Sequence, residues 1–272
     1  VAPKATPPYI RFCGDYSIVV NKYMLTGHHP IPNVRYSLEK IIKFKIFLDF
    51  DLTNGFHQFK LHPETSRALS VQTPWGQVEP LFLPEGVPQG SGILQEVMDL
   101  IFKEFDDWTI VIFDNLLVLA EDYQDAYRKT EIILKRCKER NLVLKMKKTW
   151  LGFDKVNFFG YECSAGSYKL TDERKEQVTS MPMPNSAKSM GRFLGCAGFF
   201  QPLMPKYSEL TCKLNEMKKP GFDWNPATWK TDYNAIFEKF KEELLKSSSL
   251  YYPNYELPWI LRADASDTGI GW

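Results

Sequence analysis

Two stretches of the chain set apolar, β-branched and aromatic residues around acids. They are Phe47-Leu-Asp-Phe-Asp51-Leu-Thr-Asn-Gly-Phe-His-Gln58 and Thr109-Ile-Val-Ile-Phe-Asp114-Asn115-Leu-Leu-Val-Leu119. The first reads as a buried strand that ends in acid. The second reads as one buried strand, or as two strands joined by a tight turn at the polar pair. Asp-Asn suits such a turn, because both residues tolerate left-handed backbone. A carboxylate at a hairpin tip, close to another at the end of a strand, makes a simple divalent-metal site. Hard oxygen ligands select Mg²⁺, which keeps waters and phosphate oxygens in its remaining positions. The plain alternative is that each acid only turns or caps its own run.

The rest of the pattern frames these two runs. Residues 1–10 are Pro-rich and extended, and His28-His29-Pro30 is a surface loop with no carboxylate or cysteine at a ligand spacing. Residues 37–44 read as a short helix capped by Ser37. Thr73-Pro-Trp-Gly turns a hairpin. A polar, Gly-rich loop from Leu83 leads into an apolar-periodic helix over 93–105. Residues 123–141 form a long amphipathic helix with Tyr127, Ile133, Leu134 and Cys137 on its apolar side. Segments 142–146 and 156–163 are strand-like, Thr171 caps a helix, and helices follow at 186–200, 207–217 and 231–247 before a last strand at 257–263. Irregular alternation up to about 165, then mostly helix, predicts an α+β core with a helical attachment.

Composition narrows this picture without deciding it. At 272 residues, 44% hydrophobic and 25% charged, the chain can bury a sizeable core in more than one subdomain. Its 34 basic and 33 acidic residues leave a net charge of +1, so global charge does not announce a nucleic-acid partner. Residues 128–148 nevertheless hold nine bases (128, 129, 135, 136, 138, 140, 145, 147, 148) against two acids (131, 139). That run is either a solvated helix face or a phosphate-facing one. The five cysteines (13, 137, 163, 196, 212) lack any C-x-x-C spacing, which argues for reduced thiols, an intracellular location and no zinc or disulfide scaffold. There is no membrane segment and no signal-peptide pattern. Val1 is no initiator and Trp272 falls in mid-pattern, so a piece of a longer polypeptide is expected.

Taken in order, these stretches resemble the reverse transcriptases of long-terminal-repeat retrotransposons of the Ty3/gypsy type. Arg11-Phe-Cys-Gly-Asp-Tyr resembles W-R-x-C-V-D-Y-R. Asp51-Leu-Thr-Asn-Gly-Phe-His-Gln resembles D-L-x-x-G-Y-H-Q, and Thr73-Pro-Trp-Gly matches T-P-x-G. Ile112-Phe-Asp-Asn stands where Y-x-D-D belongs, and Phe158-Phe-Gly-Tyr161 resembles the primer-grip F-L-G-Y/H. Phe193-Leu-Gly-Cys-Ala-Gly-Phe-Phe200, Phe222-Asp-Trp and Asp264-Ala-Ser-Asp-Thr-Gly-Ile-Gly resemble the segments that lead into a tethered RNase H.

The resemblance implies a right-hand polymerase fold. Part of the fingers would span 1–46, the palm 47–165 with a fingers insertion near 60–90, the thumb 166–205, the connection 206–256, and the first strand of an incomplete RNase H 257–272. It implies two Mg²⁺ ions on Asp51 and Asp114, with backbone carbonyls near Asp51 and Leu52, beside catalytic positions Asn115 and Lys148. Lys148 falls near a lysine that can protonate pyrophosphate. Arg11, Phe56 and Glu85 would face the incoming dNTP, Phe56 blocking a ribose 2′-hydroxyl or simply packing. Phe159, Gly160 and Tyr161 would form the primer grip. The implied partners are an RNA/DNA primer-template and dNTP, with other protein subunits if the chain serves a larger assembly. Four positions depart from the family: Ile112 replaces its Tyr, Asn115 its second Asp, Glu85 the Gln of Leu-Pro-Gln-Gly, and Ser17 a fingers Arg. Two functions therefore stand side by side. One is an RNA-directed DNA polymerase with an altered site; the other is an inactive descendant that binds nucleic acid or serves as a structural subunit.

Overall fold

The computed structural model describes residues 2–3, 10–11, 13–18, 20–24, 29–204, 206–246, 249–251, 256–258, 260, 264–266 and 269–271. The chain divides into two compact units, residues 1–165 and 166–272. The first begins with paired strands β1 (Ala2–Pro3) and β2 (Ile10–Arg11), then helices α1 (Val20–Tyr23) and α2 (Val34–Lys40). Next come β3 (Ile46–Asp51), α3 (Pro63–Ala68), the hairpin β4 (Val71–Thr73) and β5 (Gly76–Val78), and α4 (Gly90–Phe102). The unit ends with hairpin β6 (Thr109–Ile112) and β7 (Asn115–Ala120), α5 (Tyr123–Glu139), β8 (Trp150–Phe153), and hairpin β9 (Lys155–Phe158) and β10 (Tyr161–Ser164).

Strands β6, β7, β3 and β8 lie side by side in that order, each antiparallel to its neighbour. Successive strand side chains alternate between faces. Ile46, Leu48, Phe50 and Leu52 therefore share one face with Leu116, Val118 and Ala120 of β7. They pack against Leu94, Met98 and Phe102 of α4 and Ala126, Ile133 and Cys137 of α5. Each Val, Leu, Ile, Met or Phe among them contributes roughly 1.5–3 kcal/mol when fully buried. Phe47, Asp49 and Asp51 fall on the opposite face. A one-residue slip would drive both acids into the apolar core, which pins the register. A smaller core joins Tyr16, Leu69 and Val87 with Val20, Met24, Leu61 and Val71.

Three helices of the first unit differ from their sequence reading. Helix α2 starts at Val34, so Ser37 is no cap: it is buried inside the helix, its N–H donating to Asn33 O at 3.0 Å. Helix α4 starts at Gly90, inside the stretch read as loop, and gives way at Phe102 to a 3₁₀ segment, Lys103–Trp108. In α5 the inward positions are Ala126, Lys129, Ile133 and Cys137, whereas Tyr127 and Leu134 are exposed. Lys129 can be buried because its charge is paired. Its Nζ donates to Leu119 O at 2.9 Å, sits 2.6 Å from Asp125 Oδ2, and lies over the rings of Phe44 and Trp108. Burial pushes the Asp125 carboxyl up, but hydrogen bonds from Lys129, Arg128 and the Glu121 N–H outweigh it and hold the group at about 2.

The second unit pairs β11 (Ser167–Leu170) with β12 (Leu250–Tyr251) and carries helices α6 (Asp172–Thr179), α7 (Ala187–Gly198), α8 (Tyr207–Glu216) and α9 (Pro226–Leu245), then the hairpin β13 (Asp264–Ser266) and β14 (Gly269–Gly271). Thr171 caps α6, and Ser186 with Ser189 forms a capping box on α7. Asn225 caps α9 with Pro226 in its first turn, so that helix begins within the stretch read as loop. Phe193 packs against Phe237 and Phe240 at centroid distances of 4.8 and 5.4 Å. Most of the strand expected at 257–263 lies outside the described residues, as does the side chain of Asp264. None of the five cysteines forms a disulfide, and burial pushes the thiols of Cys137 and Cys163 up to about 11 and about 12. Among the described residues no helix is long and apolar enough to cross a membrane.

Candidate active site

Asp51 is the last residue of β3 and pairs across the ladder with Asn115, the first residue of β7. Phe113 and Asp114 form the two-residue turn between β6 and β7, closed by the Ile112–Asn115 pair. The turn therefore lies one residue earlier than the Asp-Asn pair suggests, and Phe113, not Asn115, takes the left-handed backbone at φ 55°. The ladder forces this choice. Placing Asn115 in the turn would shift Leu116, Val118 and Ala120 off the core face, a larger loss than the roughly 1–2 kcal/mol of a left-handed non-glycine residue. Leu52 is buried, and its N–H donates to Asp114 O at 3.0 Å, tying the end of β3 to the turn. Gly55 completes the fit: a Cβ there would stand 2.8 Å from Asp114 Cβ.

A third segment arrives from far along the chain. The Lys145 N–H donates to Asp51 O at 2.7 Å, and the Thr53 N–H to Val143 O at 2.9 Å. Gln58 fastens the same junction: its Nε2 donates to Thr53 O and Val143 O, and its Oε1 accepts from the Val143 N–H at 2.8 Å. The strand expected at 142–146 is reduced to the single bridge Leu52–Leu144, followed by a 3₁₀ turn, Met146–Lys148. That turn delivers Lys148, whose Nζ donates to Asp51 Oδ2 at 3.0 Å. Asp51 is 14% exposed against 58% for Lys148, so a largely covered carboxylate meets a solvent-exposed cation.

Asp49 shares the face of Asp51 two residues earlier. Burial first, then the Asp51 charge, push its carboxyl up to about 6, against a smaller opposing pull from Lys148. It borders a cavity of about 390 Å³ lined also by Phe47, Trp150, Phe153, Lys155 and Glu162. Hairpin β9–β10 walls this cavity and turns on Phe159 and Gly160, both left-handed at φ 49° and 83°. Positive φ at both central residues gives the twist that suits a two-residue hairpin. Phe159 is exposed at the tip, while Phe158 and Tyr161 are buried beneath it.

The remaining predicted positions divide. Phe56 is half-buried, against the core and the backbone of α4, where a Cβ on Gly90 would come 3.3 Å from its ring. Glu85 accepts a long contact from Cys13 Sγ at 3.7 Å, and Gly86 (φ 101°) lets its loop meet Gly14 O. Ser17 donates from its Oγ and N–H to Asp15, holding that carboxyl below its ordinary range. The side chain of Arg11 lies outside the described residues. In the basic run, Lys129 faces the core and Arg136 donates to Ile101 O and Glu104, so these two face neither solvent nor phosphate.

Residues 9–163 match the family described as reverse transcriptase (RNA-dependent DNA polymerase), over half of the chain. The chain belongs to this reverse transcriptase family. The Tf2-7 polyprotein, a transposon product of Schizosaccharomyces pombe, is 26% identical over 263 residues. The match covers 96% of this chain but 19% of that polyprotein, so the chain spans about a fifth of its curated relative. The Tf2-3 polyprotein of the same yeast is 25% identical over the same share. The retrotransposon kinship expected from the motifs is what these comparisons return. Among solved structures, the foamy viral protease-reverse transcriptase in complex with double-stranded DNA shares the fold at a TM-score of 0.86. The likeness covers 97% of this chain and 46% of that one, at 20% identity. The same viral protein with an RNA/DNA hybrid gives 0.74, covering 89% and 33% at 20% identity. The α+β reverse transcriptase fold follows.

Sequence reasoning passed over four residues that the structure places around Asp51 and Asp114. Asp49 was visible as a second acid in the first run. Gly55 and Gln58 lay inside the quoted motif without a role. Gln95 was a polar residue in the apolar face of α4. His29 stands in a loop as read, but it is not plain surface: its Nε2 lies 2.7 Å from Asp99 Oδ2, a partner 70 residues away that no local spacing reveals.

Proposed function

We propose that this chain is the polymerase portion of a retroelement polyprotein and performs RNA-directed DNA synthesis. The observation that carries the proposal is the junction of three distant segments: the Leu52 N–H on Asp114 O, Asp51 opposite Asn115, and Lys148 on Asp51. Among the described residues no group of three or more acids, histidines or cysteines is placed to hold a metal. Two carboxylates are nevertheless the donor set that Mg²⁺ accepts when water and phosphate fill its other positions, so Asp51 and Asp114 fit that ion. Held there, such ions would neutralise charge on an attacking 3′-oxygen and a leaving pyrophosphate.

The protein's own groups then position and neutralise. Lys148 screens Asp51 until the cation arrives; its exposed stem lets Nζ turn to donate a proton to the departing pyrophosphate. Phe56 closes the nucleotide side against a 2′-hydroxyl, with Arg11 and Glu85 on the triphosphate side. Phe159, Gly160 and Tyr161 seat the primer on hairpin β9–β10. In this reading residues 1–46 belong to the fingers, 47–165 to the palm, 166–205 to the thumb, 206–256 to the connection and 257–272 to the start of RNase H. The foamy viral structures with double-stranded DNA and with RNA/DNA hybrid support a primer-template as partner.

Asn115 favours a second reading, an inactive descendant that only binds nucleic acid or protein. Its amide stands opposite Asp51 without the charge of a carboxylate. Extension of a DNA primer on an RNA template, with Mg²⁺ or Mn²⁺, separates the two. The polymerase reading expects extension well above an Asp114→Ala control and a rise of roughly 10–100-fold on Asn115→Asp. Extension no greater than that control, with an electrophoretic shift of primer-template that weakens as salt rises, leaves the binding module.

A further inference from the structure

Gln95 is wholly buried in α4. Its Oε1 accepts from the Phe113 N–H at 2.8 Å, and its Nε2 donates to Val111 O at 2.9 Å and to Asp99 Oδ1 at 2.7 Å. Both hydrogens of the amide are used, so it fits only one way round. Reversed, it would set NH₂ against an N–H and oxygen against a carbonyl and a carboxylate. His29 Nε2 holds the other oxygen of Asp99 at 2.7 Å. The outer end of this series opens on a cavity of about 840 Å³ lined by His29, Asn33, Tyr36, Lys40, Asp99 and Asp106, among others.

We propose that Gln95 is a positioning residue that fixes the Phe113–Asp114 turn and so aims the Asp114 carboxylate. Asp99, steadied by His29, sets the orientation of the Gln95 amide. The turn needs such a clamp because Phe113 sits in left-handed backbone, and relaxing that strain would swing the residue that follows it. The proposal rests on Asp114 being a cation ligand, as argued above. A merely structural role for Gln95 would lower stability when removed, without a selective effect on cation affinity or on the turn.

The test uses the 272-residue chain with Mn²⁺ as probe. Affinity is read by electron paramagnetic resonance, the turn by amide hydrogen exchange at residues 113–115, and folding by circular dichroism. Gln95→Met is expected to weaken Mn²⁺ binding about tenfold and to speed exchange at the turn. Asp99→Asn, a one-atom change at a half-exposed site, keeps the fold and should shift both readouts the same way by less. Because Asp99 acts through Gln95, the double variant should be no worse than Gln95→Met alone. Unchanged turn exchange in both single variants, or losses that simply add in the double, would overturn the clamp. Should Asp114→Ala leave Mn²⁺ affinity intact, the metal role of Asp114 fails instead, and turn exchange alone judges Gln95.

Discussion

Hairpins β6–β7 and β9–β10 of the first unit solve one geometric problem in different ways. Each joins its strands through two residues, and each puts a phenylalanine in left-handed backbone: Phe113 at φ 55° and Phe159 at φ 49°. Phe113 packs against the central core, its N–H is held by the buried Gln95, and a glycine at 55 clears room for the Asp114 that follows it. Phe159 stands exposed at its tip, followed by a glycine that takes φ 83° without steric cost. The first turn is held rigid from three sides. The second presents its ring at an exposed tip, edge-on to Phe158 at a centroid distance of 4.9 Å. Preorganisation suits a carboxylate that must meet a cation; an exposed ring suits contact with a partner.

The sharpest way to break this contrast is to crowd the first turn. Gly55→Ala forces a Cβ to within 2.8 Å of Asp114 Cβ, so the turn must move. Mn²⁺ affinity and primer extension are expected to fall roughly 10–100-fold, whereas Gly160→Ala in the second hairpin leaves Mn²⁺ affinity at the wild-type value. Next in size is packing. Phe113→Ala should cost about 2–3 kcal/mol in denaturant unfolding, below the value for a fully buried phenylalanine. Phe159→Ala should stay within about 0.5 kcal/mol, yet weaken primer-template binding by about 1–3 kcal/mol in a fluorescence anisotropy titration. Equal stability losses at the two positions would erase the distinction.

Smaller still is the backbone term. Gly160→Ala should destabilise by about 1–2 kcal/mol in the same unfolding assay, and Phe159→Gly should be neutral or gain up to about 1 kcal/mol. The smallest effect concerns pH. Asp49 keeps its proton up to about 6 in the folded protein, where the unfolded chain releases it near 3.8. The folded state thus binds more protons between these values, and this group's contribution makes stability fall as pH rises from about 4 to about 6. In metal-free protein, Asp49→Asn should remove that slope, measured by unfolding at pH 4, 5 and 7.

Much of the fold could be read along the chain. The alternation in 46–52 and 109–120 marked the central strands, and Thr171 announced the start of α6. Element starts fared worse where the cue was not local. Ser37 looked like a cap because its side chain can cap, but the burial of Leu38 and Ile41 drew the helix start back to Val34. Lys129 read as part of a solvent- or phosphate-facing run because charge is usually exposed; Leu119 O, Asp125 and two aromatic rings make its burial tolerable. At the site, Asp51 and Asp114 stood out as acids in apolar runs, but the links of Gln95 to Val111 and Phe113 and of His29 to Asp99 gave no local signal, since they join separate elements.

Pairwise alternation, turn chemistry and the order of the motifs are properties of neighbouring residues, and they were enough to declare kinship with the reverse transcriptases. Which residue would occupy the turn, which glycine would make room for it, and which lysine would meet Asp51 were decided by strand register and by a contact spanning 97 residues. Those outcomes depend on how separate segments fill shared space, a quantity that no stretch of the chain carries alone.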